Sequence, residues 1–259
     1  MRSEHPQSSL PHFCLGGHDL EMIAIADLLR RHLPTEHVHD RNLTWGAAAS
    51  TYRDLLDRYR PAVLIELKDD LPPEYSRDGL TGIDHHNETA NRPCALRQVF
   101  DLLVLPAEEW TREFDLIAAN DTGHARGMLR LTPPATLEEM REIRRRDRAA
   151  QGITDEEERQ GEEAAKAAEV RLGGRLTVVT LPHSRTATVA DVMSEELGGP
   201  GYETLLILSP SETTVFAPGA VIERLSQRFL GGWWGGDLPL RGFFGHPTRL
   251  EVGAVEALL

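Results

Sequence analysis

Residues 62–67, AVLIEL, form a continuous apolar run that closes on a carboxylate, Glu66. A strand buried on both faces reads as an unbroken apolar run, whereas a strand with one wet face alternates. The run therefore predicts a strand inside a parallel sheet with helices on both sides. FCLGG at 13–17 is a shorter candidate of the same kind, and FDLIAAN at 114–120 a third, which could also begin as a helix. Helical patterns lie between them: DLEMIAIADLLRRHL from residue 19, TWGAAASTYRDLLDRYR from 44 and CALRQVFDLLVL from 94. The last follows Pro93, and proline is favoured at helix starts. Strands alternating with helices indicate an α/β domain with a mainly parallel sheet.

After LTPPATLEEM the composition shifts. Residues 136–173 are rich in Glu, Arg and Ala, with RRRDR and DEEER runs and almost no large apolar side chains. This predicts a helical connector, two solvated helices broken near Gly152, the second capped by Thr154. A basic nucleic-acid patch at Arg144–Arg148 is the alternative, weakened by the acidic run beside it. From 174 a smaller α/β unit is expected: strand RLTVVTL, helix TVADVMSEEL, strands TLLILSP and TTVFA, helix GAVIERLSQRFL, and the Gly-rich GGWWGGDLPLRGFFGHP. The expected domains are thus 1–135, the connector 136–173, and 174–259.

With 41 acidic against 28 basic residues the formal net charge is -13, which argues against coating long nucleic acids through a broad basic surface. Small phosphorylated ligands need only a local positive site, which bound divalent cations can supply. Two cysteines, Cys14 and Cys94, make no disulfide framework. No apolar run reaches the roughly 18–20 residues of a membrane span. MRSEHPQSSLPHF lacks an apolar signal core. The expectation is a cytoplasmic protein with no membrane partner.

In open α/β sheets, ligands bind outside the carboxyl ends of the strands. Four polar clusters fall at such ends: GGHDLE with His18, Asp19 and Glu21; IELKDD with Glu66, Asp69 and Asp70; GIDHH with Asp84, His85 and His86; ANDTGH with Asn120, Asp121 and His124. Each alone has a bland reading as a turn or cap, and Asp19 in particular suits the N-cap of the helix after it. Together they suit two divalent cations bridged by a carboxylate, a pair that holds a phosphoryl oxygen and activates water. Mixed carboxylate and imidazole donors favour Mn2+, with Mg2+, Co2+ or Fe2+ as replacements, while a cysteine-built zinc site does not fit.

GIDHH resembles the signature of the DHH phosphoesterase superfamily. DLEMIAIADLL is similar to its first motif, AVLIEL to its second, ANDTGHARGM to its fourth, and the Gly-rich C-terminal stretch to the DHH-associated substrate-binding domain, so the order extends over nearly the whole chain. The resemblance implies Asp19 on one metal and Glu21 on the other, Glu66 bridging, and His85 and Asp121 completing the ligands of the second metal. It implies His86 beside the phosphate, Asp84 orienting an imidazole, and His246 approaching the substrate. His18 stands in for a histidine the family carries earlier, where this chain has Leu15. Glu replaces Asp at 21 and 66, and VFAPGA stands where the family has an Arg-Ser pair.

Arg126 and Arg241 are candidate phosphate ligands. Trp233 and Trp234 suit base stacking or plain packing. His32, His37, His39 and His183 are expected in solvent. The expected function is hydrolysis of a small nucleotide, short oligonucleotide or cyclic dinucleotide by metal-activated water. The alternatives are a non-nucleotide phosphatase or pyrophosphatase, and a degenerate, non-catalytic nucleotide- or metal-binding protein. A homodimer is compatible with the sequence.

Overall fold

The structure, a computed structural model, describes residues 10–89, 91–238 and 240–259, so residues 1–9 of the N-terminal stretch read for export lie outside it. The chain divides into two compact units: residues up to His85 with Arg92–Leu105, and His86–Asn91 with Pro106–Leu259. The chain thus passes from one unit to the other between the two histidines of GIDHH. Residues 106–135 group with the C-terminal unit rather than with the strands that precede them. Among the described residues no helix is long and apolar enough to cross a membrane.

The first unit contains β1 (His12–Leu15), α1 (Leu20–His32), β2 (Val38–His39), α2 (Arg53–Leu56), β3 (Ala62–Ile65), β4 (Leu80–Ile83) and α3 (Ala95–Leu102). Its four strands run in the order β2-β1-β3-β4, all parallel, with Cys14 beside Leu64 and Leu64 beside Gly82. β3 is buried along its whole length, as its unbroken apolar run predicts. α1 follows its sequence signals: Asp19 caps it, and Arg30, Arg31 and His32 sit in the last turn against the helix dipole. Its buried face is Leu20, Met22, Ile25, Leu28 and Leu29.

The expected helix from 44 is not continuous. Gly46 has φ +79° and Ala48 is extended, bridging to Lys68, so only a 3-10 turn and the single turn of α2 form. Tyr52 sits fully buried there, its hydroxyl 2.8 Å from the Leu15 carbonyl.

The second unit contains α4 (Arg112–Leu129), α5 (Leu137–Ala150), α6 (Asp155–Lys166), β5 (Glu169–Arg171), β6 (Leu176–Thr180), α7 (Ala187–Met193), β7 (Thr204–Leu208), β8 (Thr213–Pro218), α8 (Gly219–Arg228), β9 (Trp233–Asp237), β10 (Arg241–His246) and α9 (Val252–Glu256). FDLIAAN is therefore helix and not strand. Thr111 accepts from the Phe114 N–H, and Glu113 and Asp115 lie in the positive first turn, signals that outweigh the apolar run. Six strands run β5-β6-β7-β8-β10-β9, with β6 and β7 parallel and the remaining pairs antiparallel. Leu206, Leu208 and Val215 pack with Ile222 and Leu225 of α8 on one face, while Leu205 and Ile207 pack with Val189 and Met193 of α7 on the other.

The connector breaks at Gly152, φ +72°, and Thr154 caps α6 in a full capping box with Glu157, as expected. α5 is less solvated than its composition suggests, because it buries Met140, Ile143, Arg144 and Asp147. In the β9–β10 hairpin the glycines make room for rings on the opposing strand. Gly245 pairs with Trp233, and a Cβ on it would lie 2.2 Å from the indole; Gly235 pairs with Phe243, with 2.9 Å to that ring. Trp234 packs against the core of the same sheet. Trp233 thus lies over a glycine and Trp234 against the sheet core, and both stay partly exposed.

Candidate functional site

The first unit gathers three of the expected ligands. Directly after β3, Glu66 turns into the left-handed region at φ +50° while its N–H still donates to the Ile83 carbonyl at 2.8 Å. A non-glycine residue in that region carries strain of about 1–3 kcal/mol, which the surroundings must hold in place. Gly16 makes the bend accommodable: a Cβ there would lie 2.6 Å from the carbonyl oxygens of both Ile65 and Glu66. Only a bare backbone at the end of β1 fits that approach.

His85 follows β4 by two residues, and its Nε2 lies 3.0 Å from Glu66 Oε1 and 3.8 Å from Glu21 Oε2. All three side chains are nearly out of water, with 6% of His85, 6% of Glu66 and 2% of Glu21 exposed. Glu21 is anchored from its other oxygen: Oε1 accepts the Leu96 N–H of α3 at 2.9 Å. A carboxylate in that place also meets the positive end of the helix.

Asp19 caps α1, its Oδ1 accepting from the Met22 N–H at 2.8 Å. His18 turns its Nε2 toward Asp40 Oδ2, 3.6 Å away. Burial alone would raise the Asp40 carboxyl, but the Asn42 N–H, His18 and Arg30 together hold it below the ordinary carboxylate value. Asp84 is half-buried, its carbonyl accepting from Gln98 Nε2 at 3.2 Å.

Two carboxylates around one imidazole keep net negative charge even when the imidazole is protonated. Buried charge of that kind is tolerated when a counter-charge is close. Glu66 with His85, and Glu21 with His85, each offer ligand atoms within 4.8 Å of one another. Carboxylate oxygen with one imidazole nitrogen is a donor set suited to Mn2+ and similar divalent ions, so the residues fit the metal that the motifs imply.

The remaining expected residues belong to the second unit. The His86 carbonyl accepts from the N–H and hydroxyl of Thr89, at 3.0 and 2.8 Å. Asp121 is half-buried inside α4, not at a strand end. Three residues later His124 breaks the helix at φ 54°, ψ -151°. Arg126 is exposed and pairs with Glu196. Arg241 of β10 is half-buried, with its guanidinium 4.9 Å from the Tyr202 ring centre and its Nη2 donating to the Tyr202 carbonyl at 3.3 Å. Burial lowers the Arg241 pKa, and the positive charge of Arg126 adds to this. His246 points Nδ1 at the Thr248 hydroxyl, 2.9 Å away.

Two features escaped the sequence reading. One is a buried ion network in the second unit. Arg144 Nε donates to Asp191 Oδ1 at 2.9 Å, while its Nη1 reaches Asp147 Oδ2 at 2.7 Å and Asn120 Oδ1 at 3.0 Å. Asp191 also takes His124 Nε2 at 2.8 Å, and Arg148. The other is a stack in the first unit of His12 with His37, His39 and Tyr59, at centroid distances of 4.3, 5.2 and 4.1 Å. His37 and His39 are therefore half-buried and not free in solvent, because each imidazole finds an aromatic face. His37 ends a 3-10 turn and His39 lies in β2, so no strand period in the sequence announces the stack.

No protein-family model matches the chain, and no curated protein matches it. Among solved structures it is similar to a pGpG-specific phosphodiesterase, PggH, from Vibrio cholerae, at 14% identity and TM-score 0.43 over 96% of each chain. It is similar to RecJ from Thermus thermophilus in complex with Mn2+, at 13% identity and TM-score 0.48, over 95% of this chain and 50% of that one. It is also similar to an exopolyphosphatase-related protein from Bacteroides fragilis, at 11% identity and TM-score 0.43 over 96% and 90% of the two chains.

Proposed function

We propose that the chain is a divalent-metal-dependent phosphoesterase of the DHH type, acting on a small nucleotide, a short oligonucleotide or a cyclic dinucleotide. The observation that carries this reading is the buried Glu21–His85–Glu66 cluster at the carboxyl ends of two parallel strands, β3 and β4, and the first turn of α1. Glu66, His85 and Glu21 would hold a cation in this reading. Asp19, His18 and Asp121 complete the set in this reading. Divalent cations supply Lewis acidity toward a phosphoryl oxygen and toward an attacking water.

The chain's own residues do the rest. The helix-anchored Glu21 and the strained bend at Glu66 hold their carboxylates rigidly, so little reorganisation is needed as negative charge develops on phosphorus oxygens. His86 is taken as the group beside that charge, Asp84 as the partner that orients an imidazole, and Arg126, Arg241 and His246 as groups that bind the rest of the substrate. A net charge of -13 favours a small substrate over a long polyanion.

One observation favours a second reading, a binder with little turnover. Glutamate stands in place of aspartate at 21 and 66, and Glu21 Oε1 is already held by the Leu96 N–H at 2.9 Å, so the carboxylates differ in reach and anchoring from the motif's pattern. The test is Mn2+ binding by calorimetry beside hydrolysis of a dinucleotide, a cyclic dinucleotide, pyrophosphate and an activated phosphodiester. Metal uptake with dinucleotide turnover is expected. Metal uptake with no turnover on any of the four supports the binder, and no metal uptake refutes both readings.

A further inference from the structure

The segment Asn120–His124, which contains Asp121, is tied at both ends to one buried ion pair. At its start, Asn120 is 6% exposed and accepts from Arg144 Nη1 at 3.0 Å. At its end, His124 Nε2 meets Asp191 Oδ1 at 2.8 Å, the same oxygen that accepts Arg144 Nε at 2.9 Å. Inside the segment, the Thr122 hydroxyl donates to the Ala118 carbonyl at 2.9 Å. The backbone between these anchors is not ordinary helix. His124 sits in a region of φ/ψ space that side chains rarely adopt, and Gly127 comes so close that a Cβ on it would lie 2.1 Å from the Ala119 carbonyl oxygen. A strained, closely packed break of this kind persists only when its surroundings over-determine it.

The anchors are themselves rigid. Arg144 is 5% exposed and Asp191 8%. Asp147 receives both Arg144 and Gln151, and Arg148 joins Asp191 to Glu158 of α6. Residues of three helices, α5, α6 and α7, thus join in the network that holds Asn120 and His124.

We propose that Arg144 and Asp191 are positioning residues: they clamp Asn120 and His124, and through them fix the carboxylate of Asp121 for a divalent cation. This rests on the reading of Asp121 as a metal ligand. Partners that orient ligands without touching the metal change its affinity by about 10- to 100-fold when removed.

Asn120→Ala and His124→Gly each open one end of the clamp while leaving the buried charges paired, since Arg144 keeps Asp147 and Asp191 keeps Arg144 and Arg148. His124→Gly also relieves the backbone strain, which guards against a trivial loss of fold. In the full chain, Mn2+ affinity by calorimetry and the melting temperature without metal are read for both variants beside Asp121→Ala. The expected result is at least a tenfold weaker Mn2+ affinity in each clamp variant with little change in melting temperature, and weaker binding in Asp121→Ala. A lower melting temperature with unchanged Mn2+ affinity, or no change in either, overturns the positioning role while a defective Asp121→Ala keeps the ligand reading. An Asp121→Ala chain that binds Mn2+ as the parent does refutes the ligand reading itself, and the positioning role with it.

Discussion

His85 Nε2 and Glu66 Oε1 face each other at 3.0 Å from the ends of two neighbouring parallel strands, both nearly out of water. An imidazole and a carboxylate so placed either share a proton or share a cation. Glu66→Gln keeps the shape and removes the charge, so it discriminates between them. Mn2+ affinity is expected to fall by about tenfold or more, the scale on which changes around a metal act. Calorimetric titration checks this, with circular dichroism to show the fold retained; an unaltered isotherm would refute Glu66 as a ligand.

Gly16→Ala tests the close approach behind that pair. The added methyl would meet two backbone carbonyl oxygens at 2.6 Å, and backbone yields less easily than a side chain. Overpacking of this kind costs about 1–3 kcal/mol. Chemical denaturation should show that loss, and Mn2+ affinity should fall with it, because relief of the clash moves the bend that carries Glu66. Full stability in the variant would mean the approach is looser than described.

The parts of the site that were legible in the sequence are those whose chemistry is local. AVLIEL, with its carboxylate, carries Glu66 to a strand end by period and position, whereas β4, the mostly exposed LTGI before GIDHH, has no apolar run to announce it, and His85 was reached through the motif. Asp19 as a cap was equally readable, since the residue type, the place and the helix after it agree. Asp121 was misplaced because FDLIAAN is as apolar as a strand, and the cap at Thr111 that decides for helix lies outside the run. Arg144 was hidden more deeply. RRRDR reads as a solvated face unless a buried carboxylate waits for it, and Asp191 stands 47 residues later. Composition reports the charges of such a pair but not that they meet.

The His12–His39 pair should make the first unit sensitive to acid. His12 Nδ1 and His39 Nε2 lie 2.9 Å apart, close enough to share one proton. Burial lowers both pKa values from the ordinary 6.5, with His37 adding to the effect on His12 and His12 to that on His39; Glu36 and Asp54 oppose it only in part. The unfolded chain takes up protons as pH falls through about 6.5, while the folded pair waits for lower pH. Stability is therefore full above that value and falls below it. The urea midpoint should drop between about pH 7.5 and about pH 5.5, and drop less in the His12→Gln/His39→Gln double variant. Parallel pH profiles in the two proteins would remove the pair as the cause.

Cys14 lies inside β1 with 1% exposure, and burial pushes its thiol pKa up to about 12. The thiolate is the reactive form, so almost none is present near neutrality. Iodoacetamide at about pH 8 should leave Cys14 unmodified in the folded protein and alkylate it in denaturant, as read by peptide mass spectrometry. Rapid native labelling of Cys14 would show that β1 opens.

Asp191→Asn probes the energetics of the buried network. The carboxylate is 8% exposed and accepts from Arg144 and His124 at 2.9 and 2.8 Å, with Arg148 on its second oxygen. Burial alone would raise its pKa, but Arg144, then His124 and Arg148, outweigh that and hold the carboxyl well below the ordinary range. An amide of the same size leaves two guanidinium groups with one carboxylate fewer between them, and breaking a buried pair in this way costs about 3–5 kcal/mol. The sign of the pH dependence follows from the depressed pKa. The contribution is complete above the unfolded value of about 3.9 and is lost as pH falls below it toward the folded value. The gap in unfolding free energy between parent and Asp191→Asn should therefore be constant near neutrality and narrow below about pH 4. Urea denaturation across that range measures it, and a gap that stays constant into strong acid would show that Asp191 is not held as the charged partner of Arg144.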